Sequence, residues 1–511
     1  MRWGIRDNPS TMAADLILHG GPVFGAEGAD ALAVRCGRIA TVGSSAEILG
    51  SKEPETKLVP LHGRAVLPGF FDAHTHFIRV GLEQTFYVEL GTTRSLAEAL
   101  ERLRSAAASW PEGWVVGRGW DESRWPEKRY LERGDLDRAV PRQPCYAMRV
   151  DGHMLAANTL ALARCTRPDG EFVDRDLGHL REEAAWEVAR AARPNRETLV
   201  EAVAAASRHA ASLGVTAVAD MAASGDLVAY QDALRRGGLK TRVFLYLPAD
   251  ELPALDALGV GRGFGSPLLT IQGVKVFADG SVGARTAALG EPYRDGTGHG
   301  QLLVERTALA RLWRETSEAG LQFAVHAIGD QAIEEVLSAA HQAGISPLNR
   351  HRVEHLELPT AEQLDRVRGL GLVASMQPNF LQWSGPGKMY EERLGRERDA
   401  RIDPHAWVIE RGIPLALGSD GMPMGPLYGV GLALDPPHPP QRLTLTDAVR
   451  AYTEGAACAA FAERELGTIA PGKRADLVVL SGDPARQPWR ELYVDLTFLA
   501  GERVYLRDGA P

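Results

Sequence analysis

Six side chains in this chain of 511 residues could together hold a divalent cation and activate water. His74 and His76 close the run Ala65-Val66-Leu67-Pro68-Gly69-Phe70-Phe71-Asp72-Ala73-His74-Thr75-His76. Side chains two apart on a strand point the same way, so both imidazoles can reach one metal at about 2.0 to 2.1 Å. The chain has 14 histidines, and chance alone gives roughly 0.4 such pairs at that content, so the pair decides little by itself. His326 in Ala324-Val325-His326-Ala327-Ile328-Gly329-Asp330 and His355 in Arg352-Val353-Glu354-His355 each stand at the C-terminal end of an apolar run. Strand ends of that kind carry the reactive groups of parallel barrels. Four histidines from three strands converging on one mouth make a metal reading stronger than any one of them does.

Asp420 closes Leu415-Ala416-Leu417-Gly418-Ser419-Asp420. A carboxylate there can ligate a metal and take the proton from its bound water, or it can simply cap the turn before Gly421. Lys275, in Gly273-Val274-Lys275-Val276-Phe277, is an ammonium in an apolar strand, which is expensive to bury unpaired. Two readings stay open: an ion pair with Asp279 or Asp220, or a lysine whose pKa burial lowers until its amine takes up carbon dioxide as a carbamate that could bridge two metals. Gly418-Ser419-Asp420 lacks the GxSxG frame of a nucleophile elbow, so an acyl-enzyme route is not expected.

These residues need elements to hold them. Apolar strand-like runs alternate with helical stretches, the pattern of parallel βαβ units. The runs are Val66 to His76, Val215 to Met221, Arg242 to Leu247, Ile271 to Asp279, Phe323 to Ile328, Arg352 to His355, Leu372 to Gln377 and Pro414 to Asp420, eight in all. Helices are expected over Arg196 to Leu213, Thr307 to Ala319 and Ala361 to Leu370, with Gly214, Gly320 and Gly371 just past their C-termini. The stretch from about 78 to 195 is too long for one loop and reads as an inserted subdomain with its own helix over Ser95 to Ser109. Both chain ends read as short strands and turns, so they can pair.

Composition excludes several functions. With 45% hydrophobic and 24% charged residues the chain is globular. The net charge of −9 is spread without a basic block, which argues against nucleic acid and anionic membranes as partners. No run approaches the roughly 18 apolar residues of a membrane span. Met1 to Met12 carries Arg2, Arg6 and Asp7 without an apolar core, so the cytoplasm is the expected location. Cys36, Cys145, Cys165 and Cys458 lie far apart with no CxxC pair and are expected to be small buried hydrophobes rather than metal ligands.

The motifs resemble those of the amidohydrolase superfamily, in particular its YtcJ-like branch, which includes N-substituted formamide deformylases. The pieces that carry the resemblance are Leu67 to His76, Asp151-Gly152-His153, Lys275 to Ala288, His326 to Asp330, Glu354-His355, Ser375-Met376-Gln377-Pro378, Gly418-Ser419-Asp420 and Leu466 to Leu480. They span about 15 to 505 in order. The chain departs from the pattern at Asn379-Phe380, where relatives carry a nearby histidine, and at Leu499-Ala500-Gly501, where a Gly-Gly pair is common.

The resemblance implies an α/β protein, a (β/α)₈ TIM barrel over 66–464, with a small β-sandwich built from 13–65 and 465–511 and the insertion after the first barrel strand. It implies His74 and His76 on one metal, His326 and His355 on a second, carboxylated Lys275 between them, and Asp420 as ligand and proton shuttle. Zinc is the expected metal, one or two per chain, with carbon dioxide for the lysine. His153 is expected to face a small-molecule substrate, and Arg285 and Gln377 to contact it; a homodimer is compatible with the family. The implied reaction is hydrolysis of a non-peptide carbon–nitrogen bond in an amide, N-substituted formamide or carbamate by water that the metal activates. Its rivals are deamination of an amino-substituted heterocycle and a scaffold that has lost its chemistry.

Overall fold

The structure, a computed structural model, describes residues 14–109, 113–296 and 298–509. Met1 to Met12, read above as lacking an apolar core, lies outside the described residues, as does residue 13.

Eight parallel strands form the central sheet: β1 (Phe70–Thr75), β2 (Val215–Met221), β3 (Arg242–Pro248), β4 (Leu269–Phe277), β5 (Gln322–Ala327), β6 (Arg352–His355), β7 (Val373–Met376) and β8 (Leu415–Leu417). Each pairs with its sequence neighbour from β1 to β8. The sheet closes on itself where the backbone N–H groups of Ser419 and Asp420, just past β8, donate to the carbonyl of His74 on β1 at 3.1 and 2.7 Å. This is the (β/α)₈ barrel the resemblance implies, built from the parallel βαβ units the alternation predicts. β-Branched and small residues such as Val215, Val218 and Val243 are buried on both faces, as strands covered by helices outside and side chains inside require.

The helices fall close to their expected bounds, at Leu96–Ser109, Arg196–Ser212, Arg306–Glu318 and Ala361–Gly369. Gly214, Gly320 and Gly371 take φ of 76°, 67° and 65° just beyond the last three, the left-handed step that ends a helix without a Cβ penalty.

The run Val66 to His76 is not one strand. Val66–Pro68 pairs antiparallel with Leu477–Leu480 in a four-stranded sheet completed by Val494–Leu499 and Glu502–Leu506. The chain then turns at Gly69 into β1; a Cβ there would meet Thr216 Oγ1 at 2.3 Å. One continuous apolar run therefore serves two sheets, and period and composition do not mark the corner. A second four-stranded sheet, Leu16–His19 between Lys57–Pro60 and Ala31–Arg35 with Arg38–Gly43 at the edge, faces the first. Leu18, Leu32 and Val34 share one buried cluster with Leu477, Val479, Leu496 and Phe498, the interdigitated core of a sandwich. The buried pair Arg64–Asp495 ties the two chain ends to each other, and Arg242–Asp476 ties the C-terminal end to β3 of the barrel.

Between β1 and β2 stands a separate six-stranded sheet that runs from Val88–Glu89 to His179–Arg181, with its own buried clusters around Trp120, Trp125 and Leu103 and around Tyr146, Met148 and Leu155. All four cysteines are free. Cys145 and Cys165 are buried, but Cys36 is exposed, in a turn with φ of 49°, contrary to the expectation for it. Among the described residues no helix is long and apolar enough to cross a membrane.

Candidate active site

At the C-terminal mouth of the barrel the structure brings His74, His76, Lys275, His326, His355 and Asp420 together. His74 ends in β1, and His76 begins the helix Phe77–Thr85 immediately after it. Their Nε2 atoms converge on Asp420 Oδ1, at 3.7 and 3.2 Å. His74, His355 and Asp420 each offer a ligand atom within 4.8 Å of the others. The His326 ring lies 4.4 Å from that of His355, which lies 4.8 Å from that of His74.

Three of the four imidazoles are aimed by a bond on the far side of the ring. His74 Nδ1 stands 2.6 Å from Glu354 Oε2, His76 Nδ1 2.9 Å from the Met221 carbonyl, and His326 Nε2 3.0 Å from the Gly280 carbonyl. These oxygens only accept, so those nitrogens carry the proton and the opposite nitrogens turn lone pairs inward. His74 Nε2, His326 Nδ1, His355 Nδ1 and Lys275 Nζ are buried with no hydrogen-bond partner. Buried polar atoms are nearly always satisfied, so four orphans at one mouth, with an ionised carboxylate among them, fit a set of donors for a divalent cation.

The electrostatics favour the same set. Burial, then Arg79, pushes His76 down to about 4, and burial with neighbouring positive groups holds His326 and His355 well below the usual imidazole range. All three are therefore neutral and able to ligate. Burial works against the Asp420 carboxylate, but His76 and Arg79 beside it keep its pKa well below the normal range. Burial lowers Lys275 to about 8, with Glu354 and Asp420 opposing. Its Nζ makes no ion pair with Asp279 or Asp220; it lies 3.8 Å from the centroid of the Phe277 ring. Asp279 accepts instead from the backbone N–H groups of Ala288, Ile328 and Gly329, and Asp220 from Tyr230 and Phe77.

Two of the candidate metal-donor residues sit on left-handed backbone, His355 with φ of 71° and Asp420 with φ of 52°. Such conformations cost about 1 to 3 kcal/mol in a non-glycine residue and persist where the surroundings over-determine them. At Asp420 the constraint is visible. Its backbone N–H is bonded to His74, its carbonyl accepts from Arg79 Nη2, and Ser419 beside it is bonded through both backbone and hydroxyl to Asp72.

A small cavity opens over this cluster. One wall is apolar and aromatic, with Val282, Ile328, Phe380, Trp383, Met389 and Met422. The other is polar, with Arg149, Asp151, His153 and Glu357. His153 is thus at the cavity as expected. Its Nδ1 lies 2.9 Å from Glu182 Oε2, which overrides the depressing effect of burial and raises its pKa to about 9. Phe380, where relatives are expected to carry a histidine nearby, stacks on His355 at 5.9 Å and 7°.

Arg285 and Gln377 are not among the residues lining the cavity. The Arg285 guanidinium is taken up by Asp295 and Tyr130. Gln377 is buried, with its amide nitrogen 3.3 Å from the Ser375 carbonyl.

Sequence reading missed Glu354 as the partner of His74, Arg352 as the partner of Glu354, and Arg79 as the partner of Asp420. Arg352 and Glu354 left a signal, two charges at a spacing of two inside an otherwise apolar strand. Arg79 and Glu357 left none, because their roles depend on contacts far away in sequence or on loops. Glu357 accepts from Tyr390 at 3.1 Å and is pushed by burial up to about 8.

Fold and site together define a barrel hydrolase that works with a metal. The chain belongs to the amidohydrolase family, whose pattern matches residues 57–505. It is 31% identical over 487 residues to YtcJ of Bacillus subtilis, covering 88% of this chain and 91% of that one. It is 28% identical over 527 residues to N-substituted formamide deformylase of Arthrobacter pascens, covering 94% and 96%. Among solved structures, an uncharacterized metal-dependent hydrolase from Pyrococcus furiosus superposes with a TM-score of 0.76 at 29% identity, covering 92% of this chain and all of that one. The chain is a hydrolytic enzyme.

Proposed function

We propose that this enzyme hydrolyses a carbon–nitrogen bond outside ordinary peptides, in a small amide such as an N-substituted formamide. The observation that carries the reading is the group of buried, unpartnered donor atoms on His74, His326, His355 and Lys275 around the ionised Asp420. In this reading the barrel of 66–464 carries the chemistry, and 13–65 with 465–511 forms the clasp beneath it.

Bound among these residues, a divalent cation, with zinc the first choice for imidazole and carboxylate donors, supplies Lewis acidity that brings water toward a pKa of about 7 and draws charge from a carbonyl oxygen. His74 and His76 present Nε2, and His326 and His355 present Nδ1, each fixed in its tautomer or left free to ligate. Lys275, as a carbamate, would add two oxygens between the pairs and so hold two cations; as a free amine it leaves room for one. Asp420, ionised and placed beside both His74 and His76, is the group that would accept a proton from water and return it to the leaving nitrogen. The aromatic wall of Phe380 and Trp383 receives the apolar part of the substrate and excludes bulk water.

Metal analysis of protein purified without chelator, with formate and ammonia measured separately over a panel of N-substituted formamides and amino-heterocycles, tests the reading. Formate release with one or two zinc per chain supports it. Ammonia release from the heterocycles alone moves the assignment to deamination, and no turnover in the zinc-loaded protein overturns hydrolysis of this class.

A further inference from the structure

Glu182 occupies a position that its chemistry opposes. It opens the helix Glu182–Ala191 with φ of 47°, a left-handed conformation rare outside glycine and asparagine. Its carboxylate is buried, and Oε1 has no hydrogen-bond partner. Strain and incomplete solvation at one residue call for something the position achieves.

What it achieves is the orientation of His153. The Glu182 backbone N–H donates to the His153 carbonyl at 2.9 Å, and Glu182 Oε2 accepts from His153 Nδ1 at 2.9 Å. The His153 backbone N–H donates to Asp151 Oδ1, and Asp151 Oδ2 accepts from Arg149 and Ser281. Main chain and ring are both pinned. His153 Nε2 makes no hydrogen bond among the described residues, and the ring lines the cavity 5.3 Å from that of His326.

Gly280 completes the arrangement. A Cβ there would stand 2.3 Å from Glu182 Oε1 and 2.0 Å from Thr286 Oγ1, while its carbonyl accepts from His326 Nε2 at 3.0 Å. One backbone unit therefore makes room for the carboxylate that aims His153 and also aims a metal-donor histidine.

We propose that Glu182 is a positioning residue that holds His153 with its ring turned into the cavity, against the carbonyl group of the bound amide. The six-stranded insertion thereby contributes to the reaction a group that faces the barrel's own donors. The choice of substrate rests on the amide reading above; the pairing of Glu182 with His153 does not.

The test compares zinc-loaded wild type with His153→Asn, Glu182→Gln and the double variant, using N-benzylformamide as probe. Removing one group fixed against the reacting carbonyl lowers kcat by about 100-fold or more. Both single variants are expected to lose kcat on that scale with KM within about threefold, unchanged metal content and unchanged melting temperature, and the double variant to be no slower than His153→Asn, as for residues acting as a unit. Wild-type kcat in Glu182→Gln, or losses that multiply in the double variant, overturn the proposal. In ¹⁵N-histidine-labelled protein the His153 ring signals are expected to move in Glu182→Gln. If the wild type cleaves no amide, the functional reading fails on its own account, and ring signals indifferent to Glu182→Gln then overturn the pairing as well.

Discussion

His74 donates through Nδ1 to Glu354 at 2.6 Å, and Glu354 is gripped from behind by Arg352 at 2.7 and 3.0 Å. Three residues from two non-adjacent strands make a relay in which a guanidinium fixes a carboxylate and the carboxylate fixes an imidazole. Arg352 also donates to the carbonyl of Ala73, the residue before His74. Burial would raise the Glu354 carboxyl, but Arg352 and then His74 hold it far below the usual range, so the carboxylate stays charged.

Glu354→Gln is expected to loosen the aim of His74 and to leave the Arg352 charge buried without its counterion. Partners of this kind are worth about 10- to 100-fold in metal affinity, and breaking a buried pair costs on the order of 3 to 5 kcal/mol. Zinc titration and urea unfolding of the variant should show both losses; wild-type affinity would mean that His74 is oriented by packing alone.

Removing metal by dialysis against a chelator is expected to abolish turnover and lower the melting temperature, because a ligand that binds only the folded chain stabilises it. His355→Ala and Asp420→Asn are expected to bind less metal. Elemental analysis of each variant after gel filtration checks this, and full metal content in both would remove them from the ligand set.

Lys275→Ala is expected to lower kcat by at least about 100-fold, with bicarbonate or a short carboxylic acid restoring part of it if the lysine works as a carbamate that bridges cations. Growth in ¹³C-bicarbonate followed by carbon NMR should show one carbamate signal in wild type that the variant lacks. Absence of the signal in active wild type would leave Lys275 as a free amine.

His351 lies at the other end of β6 from the metal donors. Its Nδ1 accepts from the Phe323 backbone N–H at 2.9 Å, and burial, then Arg262, lowers its pKa to about 4. An unfolded histidine takes its proton near 6.5, whereas this one stays neutral in the fold down to about 4, so unfolding gains protons across that window. Stability is therefore complete above about 6.5 and falls as pH drops toward 4, by up to about 3 kcal/mol from this residue. Urea midpoints at pH 7, 6 and 5 should show the decline, and His351→Gln should make it shallower by this residue's share, with His76, His326 and His355 supplying the rest.

The candidate donors His74, His76, Lys275, His326, His355 and Asp420 stand out in the sequence because each closes or interrupts an apolar run, and a parallel barrel gathers such ends at one face. Alternation made the parallel βαβ units readable, and the family resemblance made the barrel readable. The break at Gly69 was not, since Val66–Pro68 and Phe70–Thr75 are equally apolar and only the position of Leu477–Leu480 separates them. Nor was the service of Glu354, Arg79 and Glu182, whose partners lie 280, 341 and 29 residues away. Arg285, an arginine inside a recognisable motif, is held here by Asp295 and Tyr130, contacts its motif did not announce.

The clasp formed by the two chain ends also sets an order of assembly. Val66–Pro68, whose next residues carry His74, has its sheet partner in Leu477–Leu480, and the buried Arg64–Asp495 contact spans 431 residues. During synthesis the anchor beneath the first barrel strand is incomplete until nearly the whole chain has left the ribosome. Contacts of such long range form slowly and leave apolar strand edges bare meanwhile. The hydrophobic Val66 to Phe71 run, like Leu18, Leu32 and Val34 of the facing sheet, therefore stays without its C-terminal cover until late in synthesis.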